Sequence, residues 1–492
     1  MSSRHYHQTA LLQLPRRFLR GLLCGGFLLY GVPAVALGMN FPPGASRCPG
    51  HVRLVPLSLK AALRDAYRHQ PRRLMAQQDL AKARANLLAA ETPFLPSLAA
   101  SLQEERFVDK TGEAAVTTVG STVVGGAGSR YSNYLSLSLN WNLFNGGGDI
   151  AGYRGARAKL RAAKEGLAGQ TTGALAGAIF AYNNLLKAQL TLTQQRRNLA
   201  LLRKIAARTE QRYRNGWSDL IEVNRRQMAF AKNERAVFQA CQAVAGRSAM
   251  LAEAIGMSLP PGHILKLAEP LPSPGGIDIS RQAVDAAIRN NPSVQAAKER
   301  VTISRKKLAQ ARAAFYPKLS LVGRYDWLGQ SRDSLASAYY TTSPNSYRVE
   351  LVLQQSLGPF TSEDAAVASA QADIERARDA YRQTVLAVET QYRTILSARL
   401  ESRLATQSAE RSVKQARGIL RLSRQLAAHG QINLNALDSA RLTVNKAAAQ
   451  AAELKLDSVL YAWLSDEALH PRKFISMLMN VTQGQGGRSK LK

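Results

Sequence analysis

Residues 133–147, NYLSLSLNWNLFNGG, join two structural signals directly. Apolar side chains first alternate with polar ones, and a period of two predicts a β-strand with one apolar face. Residues 149–214 then contain no proline and repeat apolar side chains every three or four positions, which predicts one uninterrupted helix. At about 1.5 Å per residue this helix spans roughly 100 Å, far more than the helices of ordinary globular domains.

The same layout occurs twice in the 492-residue chain. Each half is predicted to contain a short helix, a second helix, a strand, a loop, a strand, a very long helix, a turn and a long helix. The matched pairs are 57–71 with 278–292, 133–147 with 346–360, and Gly216 with Gly430. Self-similarity at a fixed order of elements predicts a tandem repeat.

These observations divide the chain into six segments. Residues 259–277 are rich in proline and glycine, which predicts a linker between the repeats. The predicted segments are a signal peptide (1–36), an N-terminal extension (37–56), a first repeat (57–258, strand hairpin about 97–141), the linker (259–277), a second repeat (278–470, strand hairpin about 318–354) and a basic C-terminal tail (471–492).

The N-terminus predicts export from the cytoplasm. A basic stretch with Arg16, Arg17 and Arg20 precedes an apolar run that ends at Ala34-Val35-Ala36, the pattern of a cleaved signal peptide. Only three cysteines are present, which excludes a disulfide-built scaffold. Cys241 falls in a helical pattern, and we expect it to be a small packed side chain rather than a disulfide partner.

Composition excludes several classes of protein. The net charge is +32, but 46% of the residues are hydrophobic, so the chain is not a disordered polycation. Nucleic acid is not an expected partner, because the chain carries an export signal. Residues 149–215 contain thirteen Lys or Arg and three Asp or Glu. This charge predicts either solvated helix faces or a positive tunnel lining that favours acidic cargo.

The strands favour a membrane location over a soluble sheet. They approach the roughly 9–11 residues needed to cross a bilayer. Their ends carry aromatic side chains expected at the membrane interface, as in the girdles of outer-membrane barrels: Tyr131, Tyr134, Trp141, Tyr325, Trp327 and Tyr347. Four strands cannot close a barrel, so several chains must share one. Three copies give twelve strands, enough for an open pore.

The repeat, the strand ending Asn140-Trp141-Asn142-Leu143-Phe144-Asn145-Gly146-Gly147 and the Tyr213-x-x-Gly216 turn resemble the TolC-like outer-membrane efflux proteins. The resemblance covers about residues 55–470. It implies a mostly α chain with a small membrane β part: long helical columns and four transmembrane strands that close, in a homotrimer, as a twelve-strand barrel and a helical tunnel. It also implies a periplasmic adaptor and an inner-membrane ABC transporter or proton-driven pump as partners, besides outer-membrane lipid.

The resemblance implies where the functional residues lie. In the family the glycine-centred turns form the periplasmic tips, where the adaptor docks and polar contacts hold the tunnel closed. Docking residues implied here are Gly216, Trp217, Val223, Gly430 and Leu434, and possible gate residues are Asp219, Glu222 and Asp438. Ile432 and Ala427 stand where the family has a basic and an aromatic gate residue, so we expect the acidic residues to find other partners.

Known catalytic motifs and metal-ligand clusters are not found in the sequence, so we expect no enzyme, cofactor or metal site. The leading hypothesis is a passive outer-membrane duct for type I secretion of an acidic cargo; large acidic, calcium-binding repeat proteins are typical cargo in the family. The first alternative is small-molecule or metal efflux with a proton-driven pump. The remoter alternative is a periplasmic coiled-coil scaffold.

Overall fold

The computed structural model describes residues 53–106, 116–119, 122–125, 131–273, 280–471 and 473–476, all within one unit of the chain, Ser46–Lys492. The predicted signal peptide lies outside the described residues. The helices are α1 (Leu59–His69), α2 (Pro71–Ala89), α3 (Gly148–Arg214), α4 (Leu220–Ala254), α5 (Arg281–Asn290), α6 (Pro292–Ala313), α7 (Leu335–Tyr340), α8 (Thr361–Ala428) and α9 (Leu434–Leu469). The strands are β1 (Arg53–Leu57), β2 (Ser97–Arg106), β3 (Val116–Val119), β4 (Thr122–Gly125), β5 (Tyr131–Asn145), β6 (His263–Leu267), β7 (Lys318–Ser331) and β8 (Ser343–Gln354).

Matching caps start the short helices of both repeats. The side chains of Ser58 and Ser280 each accept a hydrogen bond from the backbone N–H three residues further on, at the N-termini of α1 and α5. Pro71 and Pro292 are the first residues of α2 and α6, where proline fixes φ and the missing N–H costs no helical hydrogen bond. The sequence repeat is therefore a structural repeat.

The two longest helices set the dimensions of the molecule. α3 has 67 residues and α8 has 68, so each is roughly 100 Å long. Near the sheet, the helices α2, α3, α6 and α8 pack side by side. Toward the other end of the long helices, α4 returns along α3 and α9 returns along α8. Within the described part of the chain, no helix combines the length and apolar character needed to cross a membrane.

One antiparallel sheet joins strands from both repeats, in the order β2-β5-β7-β8. Its register places apolar side chains in continuous cross-strand rows on one face. Two such rows are Leu98, Leu139, Gly323 and Val349, followed by Ala100, Leu137, Tyr325 and Tyr347. The other face is polar and carries the ion pairs Arg324–Asp326 (3.4 Å) and Arg348–Glu350 (3.3 Å). An apolar outer face and a polar inner face are the pattern of a membrane β-barrel wall.

The segment predicted as a linker contributes to the core instead of only connecting the repeats. It contains β6, which pairs in parallel with β1 from His263 to Leu267. The Tyr182 hydroxyl of α3 donates to the Glu269 carbonyl at 2.7 Å, and the Trp463 indole of α9 donates to the Pro272 carbonyl at 2.6 Å. A proline-rich composition predicts the absence of helix, but it does not exclude a short paired strand.

The expectation for Cys241 is wrong. Its side chain is buried, as the helical pattern predicted, but it is disulfide-bonded. Both other cysteines of the chain, Cys24 and Cys48, lie outside the described residues. A helical period reports burial and contains no information about a distant thiol, and export brings thiols into an oxidising compartment.

Because of Glu467 in α9, the stability of the folded protein depends on pH. Burial raises its pKa from the ordinary value to about 7. The carboxyl is therefore protonated in the folded protein and ionised in the unfolded chain between about pH 4.5 and pH 7. Stability is highest below this window and falls as the pH rises through it, because the folded state must ionise a buried group.

We predict that Glu467→Gln raises the thermal unfolding temperature at pH 8, where the ionised wild-type carboxylate costs at most about 3 kcal/mol. The gain should vanish below about pH 4.5, where both states of the wild type are protonated. Thermal unfolding of the detergent-solubilised protein across this range measures the effect, with Asp466→Asn as the matched control. An equal gain at all pH values would contradict the buried carboxylate as its cause.

Candidate functional site

The two long-helix hairpins turn at glycines with the same geometry. Gly216 and Gly430 have φ of +75° and +71°, in the left-handed region that favours glycine. At the first turn the Trp217 N–H donates to the Arg212 carbonyl at 2.8 Å; at the second the Gln431 N–H donates to the Leu426 carbonyl at 2.9 Å. Both turns are Schellman motifs, which end a helix sharply and reverse the chain.

The residues after each glycine start the returning helix. Asp219 accepts a hydrogen bond from the Glu222 N–H at 2.6 Å and so caps α4. Asn433 caps α9 in the same way, accepting from the Asn435 N–H at 3.0 Å. This contact of the Asp219 carboxylate is local, and it supports the turn rather than joining the two hairpins.

Glu222 joins the two hairpins near the turns. Its carboxylate pairs with Arg226 at 2.6 Å and Arg225 at 2.9 Å, both on its own helix. It also accepts from the side-chain amide of Asn435 on α9 at 3.3 Å. Sequence reasoning found the acid but missed Asn435, because nothing in the spacing indicates which residues of α9 face α4.

Asp438 makes the second link, and it is buried to 2% exposure. Arg208 of α3 pairs with it at 3.1 Å, and Arg441 of its own helix pairs with it at 3.2 Å. A buried carboxylate is tolerated only with such partners, because desolvation of an unpaired charge costs several kcal/mol. Glu222 and Asp438 thus contact residues other than positions 432 and 427.

The docking residues predicted from the family differ in accessibility. Trp217 is 71% exposed and Leu434 is also exposed, whereas Val223 is buried to 6% exposure. Val223 therefore packs inside the hairpin, where it supports the turn. Sequence reasoning missed Leu220 and Ile221, whose exposed side chains extend the apolar surface beside Trp217.

Five of the six predicted interface aromatics lie on the apolar face of the sheet. Trp141 lies at the end near the helices, where its indole donates to the Phe94 carbonyl at 3.1 Å. The other four, nearer the far end, are Tyr131, Tyr325, Trp327 and Tyr347. Tyr134 has the opposite strand parity: it faces the polar side and donates to Asp326 at 2.6 Å. Its assignment to the lipid interface does not fit this geometry.

Sequence comparison matches the chain to a known family and to a curated relative. The model of the family described as outer membrane efflux protein matches residues 62–257 and 283–460. Protein CyaE of Bordetella pertussis is 27% identical over 298 residues, which cover 60% of this chain and 59% of that protein. The chain thus spans less than two thirds of the length of this relative.

Solved structures show the same fold at low sequence identity. The CmeC outer membrane channel of Campylobacter jejuni matches with a TM-score of 0.69 at 16% identity, covering 87% of this chain and 90% of that one. The open state of the MtrE outer membrane channel of Neisseria gonorrhoeae matches with a TM-score of 0.65 at 18% identity, covering 84% and 88%.

We predict that Asp438→Ala loosens the contact between α3 and α9. Removing the acid leaves Arg208 without this buried partner, at a cost of about 2 kcal/mol. Hydrogen exchange of the amides in residues 434–442 should become faster. Glu210→Ala is the control, since it removes an exposed pair with Arg214 worth less than about 0.5 kcal/mol. Equal exchange rates in both variants would show that the Asp438 network does not join the hairpins.

Proposed function

Because the chain belongs to the outer membrane efflux protein family, we propose that it is the passive exit duct of a type I protein secretion machine. The family match confirms the resemblance inferred from the sequence, and with it the location: the protein lies in the outer membrane and extends into the periplasm. The main structural support for a duct is the four-stranded sheet. In the described part of the chain it has one apolar face, one polar face and two unpaired edges. This sheet and the family also exclude the periplasmic scaffold.

The open edges support a homotrimer. Among the described residues of the chain, β2 and β8 each pair with a strand on one side only. Unpaired backbone groups cannot face hydrocarbon, so each edge must pair with a neighbouring copy. Three copies give twelve strands, and a barrel of that size leaves an open lumen where eight strands would fill it. The polar face with Arg324, Asp326, Arg348 and Glu350 then lines this lumen.

The turns support a docking site for a periplasmic adaptor. They lie at the far ends of helices roughly 100 Å long, directed away from the membrane. The exposed apolar side chains of Trp217, Leu220, Ile221 and Leu434 surround them. Exposed apolar clusters of this kind are typical of protein interaction sites. We assign this surface to the adaptor that connects the duct to an energised inner-membrane pump.

The two acidic networks are suited to hold the duct closed. The Arg208–Asp438 and Glu222–Asn435 contacts each join the first hairpin to the second near the turns. Opening the end of the tube requires the hairpins to move apart. Both contacts must break in that movement, so they favour the closed state.

Charge supports an acidic protein as the cargo. Residues 190–235 and 411–452, which flank the two turns, contain eighteen Lys or Arg and five Asp or Glu. An open groove of about 690 Å³ between α8 and α9 is lined by Lys414, Arg417 and Arg421, with Glu410 at one end. A positive potential at the entrance concentrates acidic chains and lowers the barrier to their entry.

Small-molecule efflux is the second candidate, favoured by the description of the family as efflux proteins. The same duct and the same turns would serve small-molecule efflux, with a proton-driven pump in place of an ABC transporter. The two functions differ in what leaves the cell, so they are separated by an export experiment.

We expect the culture supernatant of a strain lacking this protein to lose one large acidic protein that its parent secretes. Mass spectrometry of the two supernatants measures the difference, and restoring the gene should restore the protein. An unchanged supernatant, together with increased sensitivity to drugs or metals, would contradict secretion and support efflux.

Neutralising the groove tests the role of charge. We predict that replacing Lys414, Arg417 and Arg421 together by Gln lowers export of the acidic protein several-fold, because it removes three positive charges near the entrance. The control replaces Arg376, Arg382 and Arg393, on the same helix but farther from the turn, by Gln. Equal export by both triple variants would contradict electrostatic selection.

We predict that Glu222→Ala and Asp438→Ala each raise single-channel conductance in planar bilayers, because each removes a contact between the hairpins. Glu210→Ala should conduct like the wild type, since its partner Arg214 lies on the same helix. Unchanged conductance in both network variants would contradict a latch at the turns.

A further inference from the structure

The connection between β7 and β8 forms the short helix α7 at the far end of the sheet. β7 begins directly after α6 and runs away from the long helices to Ser331. α7 therefore lies at the end of the sheet opposite the periplasmic helices. In the outer membrane this end is next to the outer leaflet and the cell surface.

α7 packs on the apolar face of the sheet, and two contacts place it there. A Cβ atom at Gly329 would collide with the backbone carbonyl of Ala338 in α7. The helix therefore covers the face of the sheet toward which a side chain at position 329 would point. Gly329 shares its parity with Tyr325 and Trp327, whose tilted rings have centroids 4.4 Å apart. On β5, opposite Gly329, the Asn133 side chain donates to the Thr342 hydroxyl at 2.9 Å, just after α7.

Local contacts hold this six-residue helix, which is too short to be stable alone. Ser334 caps it by accepting from the Ser337 N–H at 3.1 Å. At the other end the Thr341 hydroxyl donates to the Gln330 carbonyl at 3.1 Å. Ala338 is completely buried against the sheet. The helix therefore has a fixed inner side and a fixed outer side.

The outer side of α7 carries no charge and two tyrosines. Tyr339 and Tyr340 are 61% and 88% exposed, with their rings 6.5 Å apart. The exposed positions all fall on one side of the helix: Leu335, Ala336, Tyr339 and Tyr340. An apolar and aromatic surface held away from the protein is unfavourable in water, but it suits the boundary between headgroups and acyl chains.

We propose that α7 is an interfacial anchor that embeds its outer side in the outer leaflet of the membrane. The surface continues the apolar face of the sheet, which already faces lipid, and extends the aromatic level of Tyr325 and Trp327 outward. Tyrosine suits this depth because its ring is apolar and its hydroxyl reaches the hydrated headgroups. The anchor fixes how deeply the sheet sits in the bilayer and keeps this connection outside the lumen.

Site-directed spin labelling of the full-length protein in phosphatidylcholine vesicles tests the proposal. A nitroxide is attached to cysteine in Tyr340→Cys, and its accessibility is measured to oxygen, which concentrates in lipid, and to a nickel chelate, which stays in water. Leu137→Cys, on the apolar face of a central strand, is the lipid control. Arg348→Cys, on the polar face, is the water control, and labelling of the unsubstituted protein is subtracted.

The proposal predicts an oxygen-to-nickel accessibility ratio at position 340 close to that at position 137 and several-fold above that at position 348. A ratio like that at position 348 would overturn the anchor, because α7 would then lie in water. Low accessibility to both reagents would also overturn it, because a protein would then cover the helix. A water-like ratio at position 137 would instead refute the membrane orientation of the sheet, and with it the proposed function.

Discussion

An unpaired strand edge cannot face hydrocarbon, and the rest of the structure depends on this constraint. In the described part of the chain, β2 and β8 form the edges of the sheet and have no strand on their outer sides, although the apolar face with Leu137 and Val349 is suited to lipid. We therefore propose that copies of the chain close the barrel together. Once the strands form a ring, the helices that continue from them must form a ring as well. Pairing of the strand edges between copies therefore explains the helical tube, and no other assembly interaction is needed.

The long helices extend from the membrane to the turns, and side-chain contacts join them to other segments along their length. About halfway along α3, Tyr182 donates a hydrogen bond to the segment between the repeats, and Trp463 of α9 does the same. Near the turns, the ion pair Arg208–Asp438 joins α3 to α9. A buried ion pair adds little net stability compared with apolar packing, yet it is costly to break. Placed where the tube must open, it suits a contact that holds one state and can exchange for another.

The fold could be predicted from the sequence because its signals are periodic and local. Alternation at Leu135, Leu137 and Leu139 identifies a strand with one apolar face, and the glycines 214 residues apart identify the two turns. Tyr134 shows the limit of this reasoning: aromatic type suggested lipid, but strand parity places the ring on the polar face beside Asp326. Parity was available in the sequence and was the better signal.

The contacts between hairpins could not be predicted in the same way. Arg208 and Asp438 are 230 residues apart, and Glu222 and Asn435 are 213 apart, so no local period relates them. Their pairing depends on which faces of α3, α4 and α9 meet, and this is set by packing over the whole helix length. The disulfide of Cys241 was missed for the same reason.

Native mass spectrometry of the detergent-solubilised protein tests the central claim, closure of the barrel by neighbouring copies, most directly. A closed barrel with an open lumen predicts a mass of three chains, which supply twelve strands. A mass of one or two chains would contradict it, because four strands cannot close a barrel and eight leave no wide passage.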